Sequence, residues 1–267
     1  KPQLMSLIDY IDSIYLKFGA TQTVYGDDNK EAVRKIQKDA ASADLSLIPA
    51  RIRHLGTDKC FEILTLMRDH LKEKCTIRTS DGVAEILVED GRYVRVETTR
   101  GEKIYSKYLI AAPGREGSEW FTTQAGQLGL DMITNPVDIG VRVEVPAVVM
   151  EQITDVVYES KLVYYTKSFD DRVRTFCMNP YGVVVAENNA GLITVNGHSN
   201  AEKTSENTNF AILVSKSFTE PFKEPITYGK SIAKLANLLS DGVIVQRLGD
   251  LKAGRRSTEE RIGRGLV

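Results

Sequence analysis

The chain has 267 residues, 42% of them hydrophobic and 27% charged, a composition that suits one large or two modest globular domains. With 35 basic against 36 acidic residues the net charge is −1, so the cationic excess that draws proteins to nucleic acid or to anionic membranes is absent. The cysteines Cys60, Cys75 and Cys177 are odd in number and lack metal-ligand spacing. They exclude a disulfide framework and a metal site and point to a reducing, cytoplasmic compartment.

Leu4, Ile8, Ile11, Tyr15 and Phe18 stand at helical spacing, with Gly19 as a stop. The same opening is broken by Asp9 and Asp12, which argues against a signal peptide, and no apolar run reaches the ~18 residues of a membrane span. A first residue of Lys1 rather than Met suggests a piece of a longer protein. Asp27 and Asp28 precede a second helix with Val33, Ile36 and Ala40 on one face, and Pro49 ends that region. Thr57 is the expected N-cap of a third helix, striped by Cys60, Ile63, Leu64, Met67 and Leu71. His70, near its end, has no second ligand at i±3 or i±4 and reads as surface.

After Lys74 the period changes. Cys75–Thr79, Val83–Glu89 and Tyr93–Thr99 read as strands, the last two joined through Asp90-Gly91, a hairpin signal because both central turn positions favour positive φ. Arg100-Gly101 makes the next reversal. Tyr108–Ala112 is apolar on both faces, which predicts a strand of a parallel sheet buried between two layers; Pro113-Gly114 ends it and Ser118 opens a helix. From Asn135 the texture is antiparallel. Val137, Ile139, Val141, Val143 and Val145 alternate with polar residues or glycine. A short helix follows Pro146, then strands at 162–166, 173–178, 183–187, 192–196 and 210–215. Turns fall at Asn179-Pro180-Tyr181-Gly182 and Asn188-Asn189-Ala190-Gly191. A helix at 231–239 and a strand at 243–246 close the pattern. Lys252, Arg255 and Arg256 read as solvated surface. The seam between parallel and antiparallel character falls between Gly114 and Asn135.

Among residues suited to chemistry, Tyr108–Gly114 is the strongest local signal: an apolar strand running into Pro-Gly, where a glycine admits close approach of a bulky ligand and the following helix aims free N–H groups at the strand end. An ordinary strand-to-helix turn has the same pattern. No G-x-G-x-x-G occurs; the nearest is Gly114-Arg115-Glu116-Gly117. P-loop, H-E-x-x-H and G-x-S-x-G motifs are absent as well. Arg142, on the polar face of its strand, suits an anionic substrate or a cross-strand pair. Cys177 suits a nucleophile or a core position. His198, at a strand end, suits a proton donor or a polar loop residue.

Taken together, several motifs resemble a known family: His54-Leu55-Gly56-Thr57-Asp58, Tyr108–Gly114, Asp138–Glu144, Phe176–Gly182, Val195–Ser199, Glu206–Asn209 and Gln246–Asp250. The chain resembles, over nearly its whole length, the bacterial FAD-dependent (NAD(FAD)-utilising) dehydrogenases, whose substrates are uncharacterised and which are related to glutathione-reductase-like flavoproteins. The resemblance implies an α/β plus α+β fold: a partial FAD-binding domain with a three-stranded β-meander, and an inserted antiparallel β-rich domain. The implied segments are a helical part with the partial FAD domain over 1–130, a substrate domain over 131–250, and a return towards the FAD domain over 251–267.

Implied too is a cytoplasmic FAD-dependent oxidoreductase acting on a small molecule, without nucleic-acid or membrane partner. NAD(P)H as electron donor and the oligomeric state stay open. By the resemblance Val83 lies by the adenine, and Ala112, Pro113 and Gly114 lie by the pyrophosphate or ribityl chain; Arg142, Cys177 and His198 are the candidates for catalysis. Members carry a second cysteine where this chain has Asn179, so a cysteine-pair role does not carry over. The family's glycine fingerprint is expected to precede Lys1 and its second glycine motif to follow Val267. Two fingerprint-side strands would then separate 75–79 from 108–112, and the present segment by itself would leave those runs unpartnered, hold FAD weakly and be inactive. The competing reading is a non-enzymatic binding or scaffold module that uses the antiparallel sheet for a protein partner.

Overall fold

A computed structural model of the chain describes residues 2–114, 116–189, 191–218 and 224–264. The chain divides into two compact units, Lys1–Met67 with Asn135–Val267, and Arg68–Thr134.

In the larger unit, helix α1 (Pro2–Lys17) stops at Gly19, whose φ is +99°. The Ala20 amide reaches back to the Tyr15 carbonyl at 3.0 Å, which is the bond that closes a left-handed C-cap. Helix α2 (Lys30–Ser42) is capped by Asn29, whose side chain accepts from the Ala32 amide; the two aspartates expected at this start lie just before the cap. Val33, Ile36 and Ala40 turn inward as their spacing predicts. They meet Leu47 of strand β1 (Ser46–Ile48) and Val157 of helix α5 (Ala147–Val157) in the main apolar cluster. Helix α3 (Thr57–Lys72) starts at Thr57 and crosses the division between the units.

Five strands form one antiparallel sheet in the order β1, β6 (Lys161–Tyr165), β7 (Arg172–Asn179), β10 (Asn207–Lys216), β5 (Val137–Pro146). The pairing sets Arg142 opposite Ala211 and Asn209 opposite Asn179, with a register shift between Asn209 and Ala211 where β10 meets β7. Strands β8 (Val183–Asn189) and β9 (Leu192–His198) form a separate hairpin; Ala190 of its turn lies outside the described residues. Helix α6 (Pro225–Ser240) is tied to the hairpin by Asn237, which both donates to and accepts from the Ile193 backbone. Short helices α7 (Leu248–Lys252) and α8 (Glu259–Gly263) follow.

The smaller unit is the expected meander, β2 (Val83–Glu89), β3 (Arg92–Thr98) and β4 (Lys103–Tyr105), with helix α4 (Ser118–Gln127). Asp90 and Gly91 both hold positive φ in the β2–β3 turn. Helix and meander are joined where Gln124 accepts from the Ile86 amide at 2.8 Å and Trp120 donates to the Ala84 carbonyl at 3.0 Å.

Three expected strands are not strands. Residues 75–79, 108–112 and 243–246 are irregular, and every strand pair among the described residues is antiparallel, so the parallel sheet is absent from them. The reason is the same in each case. An extended run needs a neighbour for its amides and carbonyls, and none of the described strands pairs with these. Tyr108 is 76% and Ile110 91% exposed, the reverse of a strand buried between layers. The fold shown is a mixed one of helices with antiparallel sheets.

Candidate functional site

The register of β5, β10 and β7 gathers polar side chains on one sheet face. Arg142 donates from Nε to Asn209 Oδ1 at 2.8 Å and from Nη2 to the Cys177 carbonyl at 2.7 Å. That carbonyl also accepts from Asn179 Nδ2 at 2.7 Å. It is turned towards them because Cys177 holds a φ of +49°, a left-handed conformation that costs a non-glycine residue roughly 1–3 kcal/mol. The Cys177 amide donates to Glu159 Oε1 at 3.0 Å, and the thiol lies 3.7 Å from Asn179 Nδ2. Gly197 on β9 makes the convergence sterically feasible. A Cβ there would fall closer than 3.0 Å to Arg142 Nη2, Asn209 Oδ1 and Asn179 Nδ2.

From Asn179 the network continues. Ser199 donates to Asn179 Oδ1 at 3.3 Å, Tyr158 donates to Ser199 Oγ at 3.0 Å, and His54 Nε2 stands 3.5 Å from the same hydroxyl. The His54 ring stacks on Tyr158 with centroids 4.1 Å apart. Burial lowers the His54 pKa against an opposing hydrogen bond with the Asn200 backbone, which favours the neutral ring. Burial likewise pushes the Tyr158 phenol up to about 12, keeping it a proton donor in the chain. Asn209 has 0% exposure, and its Nδ2 has no acceptor among the described residues. Its amide cannot simply be reversed, because Arg142 Nε requires an oxygen opposite it.

Of the residues expected from sequence, Arg142 and Cys177 meet in this cluster. His198 does not join it: the neighbouring Gly197 faces the cluster, and the His198 side chain makes no hydrogen bond among the described residues. Sequence reasoning passed over His54, Tyr158, Asn179, Ser199 and Asn209 as site residues. The motifs around 54–58, 177–182, 195–199 and 206–209 contain all of them except Tyr158.

In the smaller unit, Val83, Ala112 and Pro113 line one cavity of about 370 Å³, together with Ile86, Leu109 and Trp120. Its described walls carry no charged side chain. Gly114 lies just outside, at a φ of +66°, with open space where a Cβ would stand. A second cavity, of about 630 Å³ in the larger unit, sits by Tyr181 and Lys203. There the Tyr181 hydroxyl donates to Glu151 and the Lys203 ammonium lies 3.6 Å above the phenol ring. Among the described residues no group of three or more His, Cys, Asp or Glu stands together as a metal site, and no helix is long and apolar enough to cross a membrane.

Residues 136–262 match the family model described as FAD-dependent protein, C-terminal domain-like. The matched stretch runs from β5 to α8 and carries Arg142, Cys177, Asn179 and Asn209. It is slightly under half of the chain, and it supports an FAD-dependent family for this part. No curated protein matches the chain.

Proposed function

We propose that the chain is the middle stretch of a glutathione-reductase-like, bacterial, FAD-dependent dehydrogenase. In this reading the segment 131–250 bears the substrate, 1–130 contributes to the FAD domain, and 251–267 returns towards it. The observation that carries the reading is the match of residues 136–262 to a domain family of FAD-dependent proteins. Flavin would supply the hydride chemistry, and the protein would supply orientation and electrostatics.

The cavity of the smaller unit supports one part of FAD and not another. Its apolar walls, with Val83, Ala112 and Pro113, suit a flat ring such as adenine. They offer no cation to a diphosphate, and the chain holds no glycine fingerprint. What they contribute in this reading is a dry surface for a ring, while Arg142, Cys177 and His198 are the substrate-side candidates in the larger unit.

Purifying the natural gene product in full and recording its visible spectrum tests the proposal. The expected result is a yellow protein that releases FAD on denaturation. A colourless protein that takes up no FAD overturns it and favours the scaffold reading. Titrating FAD with the 267-residue chain should give little fluorescence quenching; a dissociation constant in the low micromolar range (~1–10 µM) or tighter would refute the view that diphosphate binding needs the glycine turn.

A further inference from the structure

We infer that Arg142 is a preset clamp for a carboxylate, and hence that the substrate borne by the larger unit is a carboxylic acid. The inference rests on reading that unit as the substrate-bearing part. Arginine offers two forks, one from Nε with one terminal nitrogen and one from the two terminal nitrogens. In Arg142 the Nε–Nη2 edge is occupied on both atoms, by Asn209 Oδ1 at 2.8 Å and the Cys177 carbonyl at 2.7 Å. Both acceptors are neutral amide oxygens, so they fix the guanidinium plane without cancelling its charge. Nη1 has no hydrogen-bond partner among the described residues, yet it is not among the buried unpartnered atoms, so it reaches solvent. The guanidinium is thus held in place with Nη1 as its accessible end, while Nη2 stands against the Gly197 backbone.

Two other arginines of the same unit are neutralised by carboxylates. Arg174, also on the sheet, meets Asp138 at 2.6 Å, and Arg53 meets Asp12 at 2.7 Å. No carboxylate among the described residues pairs with Arg142. The nearby acids are engaged elsewhere: Glu159 accepts from the Cys177 amide, Glu187 from Asn196, and Glu144 from Asn207. A half-buried cation whose acceptors are fixed and neutral is an anion site in waiting, because binding an anion there repairs an uncompensated charge without reordering the side chain. The guanidinium carries a single charge, and the hydrogen-bonded cluster holds no second cation. One cation balances the single charge of a carboxylate, whereas a phosphate group at about −1.5 to −2 would be left undercompensated. Arg142's two neutral partners are also what makes the clamp depend on Asn209: an aspartate in its place would neutralise the guanidinium from within.

The test uses the 267-residue chain labelled with ¹⁵N. Arg142 Nε–H and the Asn209 side-chain amide report on the clamp while sodium acetate is added at constant ionic strength, with acetamide and sodium chloride as controls. Acetate is expected to give a saturable shift of both reporters with half-saturation at about 10 mM or below, acetamide none, and chloride only a small unsaturated drift. R142K keeps the charge but loses the planar fork, so the acetate response of the Asn209 amide should weaken about tenfold or more. N209D should abolish it while the far-ultraviolet circular dichroism stays native. If either variant fails to fold, the acetate-against-acetamide comparison on the parent chain decides alone. An absent acetate response, an equal response to acetamide, or an unaltered one in folded R142K overturns the inference. Flavin bands in the natural gene product without an acetate response would leave the flavoprotein reading standing and remove the clamp. An acetate response in a colourless protein would do the opposite.

Discussion

Gly197 is the position where the cluster is most sensitive to one added atom. In Gly197→Ala the new methyl would stand closer than 3.0 Å to Arg142 Nη2, Asn209 Oδ1 and Asn179 Nδ2. The side chains that must give way are anchored. Arg142 is held at both ends of one edge, and Asn209 lies fully buried between β5 and β7. Losing the charge-assisted bond from Arg142 to the Cys177 carbonyl costs about 1.5–3 kcal/mol. Forcing a methyl into a filled site costs about 1–3 kcal/mol more. These overlap, since relief of the clash is what breaks the bond, so the expected destabilisation is about 2–5 kcal/mol. Against a typical total of ~5–15 kcal/mol that is a large fraction. Urea unfolding followed by circular dichroism measures it, with Gly249→Ala as the control. Gly249 lies in α7 with open space around its missing Cβ, so alanine there should be neutral or stabilising by up to ~1 kcal/mol. If Gly197→Ala unfolds within about 0.5 kcal/mol of the parent, the cluster is looser than described and the reasoning from its geometry fails.

The His54 pKa lies below its ordinary 6.5 because the ring is buried. As pH falls the unfolded chain therefore takes up the proton first. This contribution to stability is complete above 6.5 and is lost as pH drops from 6.5 towards the folded-state value. His54→Gln should flatten the stability profile below about pH 6.5 relative to the parent; parallel profiles would show that His54 is not the group responsible. In hydrogen exchange, amides of residues 108–112 should exchange far faster than those of 137–145, because the former are irregular and the latter are laddered to β10; equal strong protection would contradict this. In the natural gene product, Gly114→Val should lower bound flavin well below the level in Lys107→Arg, since a branched side chain disfavours the positive φ that Gly114 adopts. A full flavin complement in the Val variant would remove Gly114 from the cofactor site.

The elements that were legible in sequence share one property: their pattern is decided locally. The alternation of 137–145, the Asp90-Gly91 turn and the Val33–Ile36–Ala40 stripe each reflect a backbone period or a dihedral preference that needs no distant partner. The three runs misread as strands, 75–79, 108–112 and 243–246, are decided elsewhere. An apolar run on both faces becomes a strand only when something pairs with its edges. Among the described residues nothing does, so Ile110 is 91% exposed where the composition alone favours burial. Short strand β1 was missed for the converse reason. Three residues carry almost no period, and Ser46–Ile48 is a strand because β6 pairs with it.

The site divides along the same line. Arg142 and Cys177 could be picked out by residue type, because a guanidinium and a thiol advertise chemistry wherever they stand. Their partners do not. Asn179, Asn209 and Ser199 are ordinary turn and strand residues in sequence, and they matter because the register shift between Asn209 and Ala211 brings an asparagine of β10 beside one of β7. Gly197 was invisible for a deeper reason: its contribution is the absence of a Cβ at a point where three polar groups from three strands converge, and no spacing rule along one strand records that. His198 shows the hazard of choosing by chemistry alone. In a strand, adjacent residues face opposite ways, so the glycine that permits the cluster excludes the neighbouring imidazole from it. The histidine that does touch the network, His54, comes from a segment more than a hundred residues away, joined through a serine hydroxyl that only the folded chain supplies.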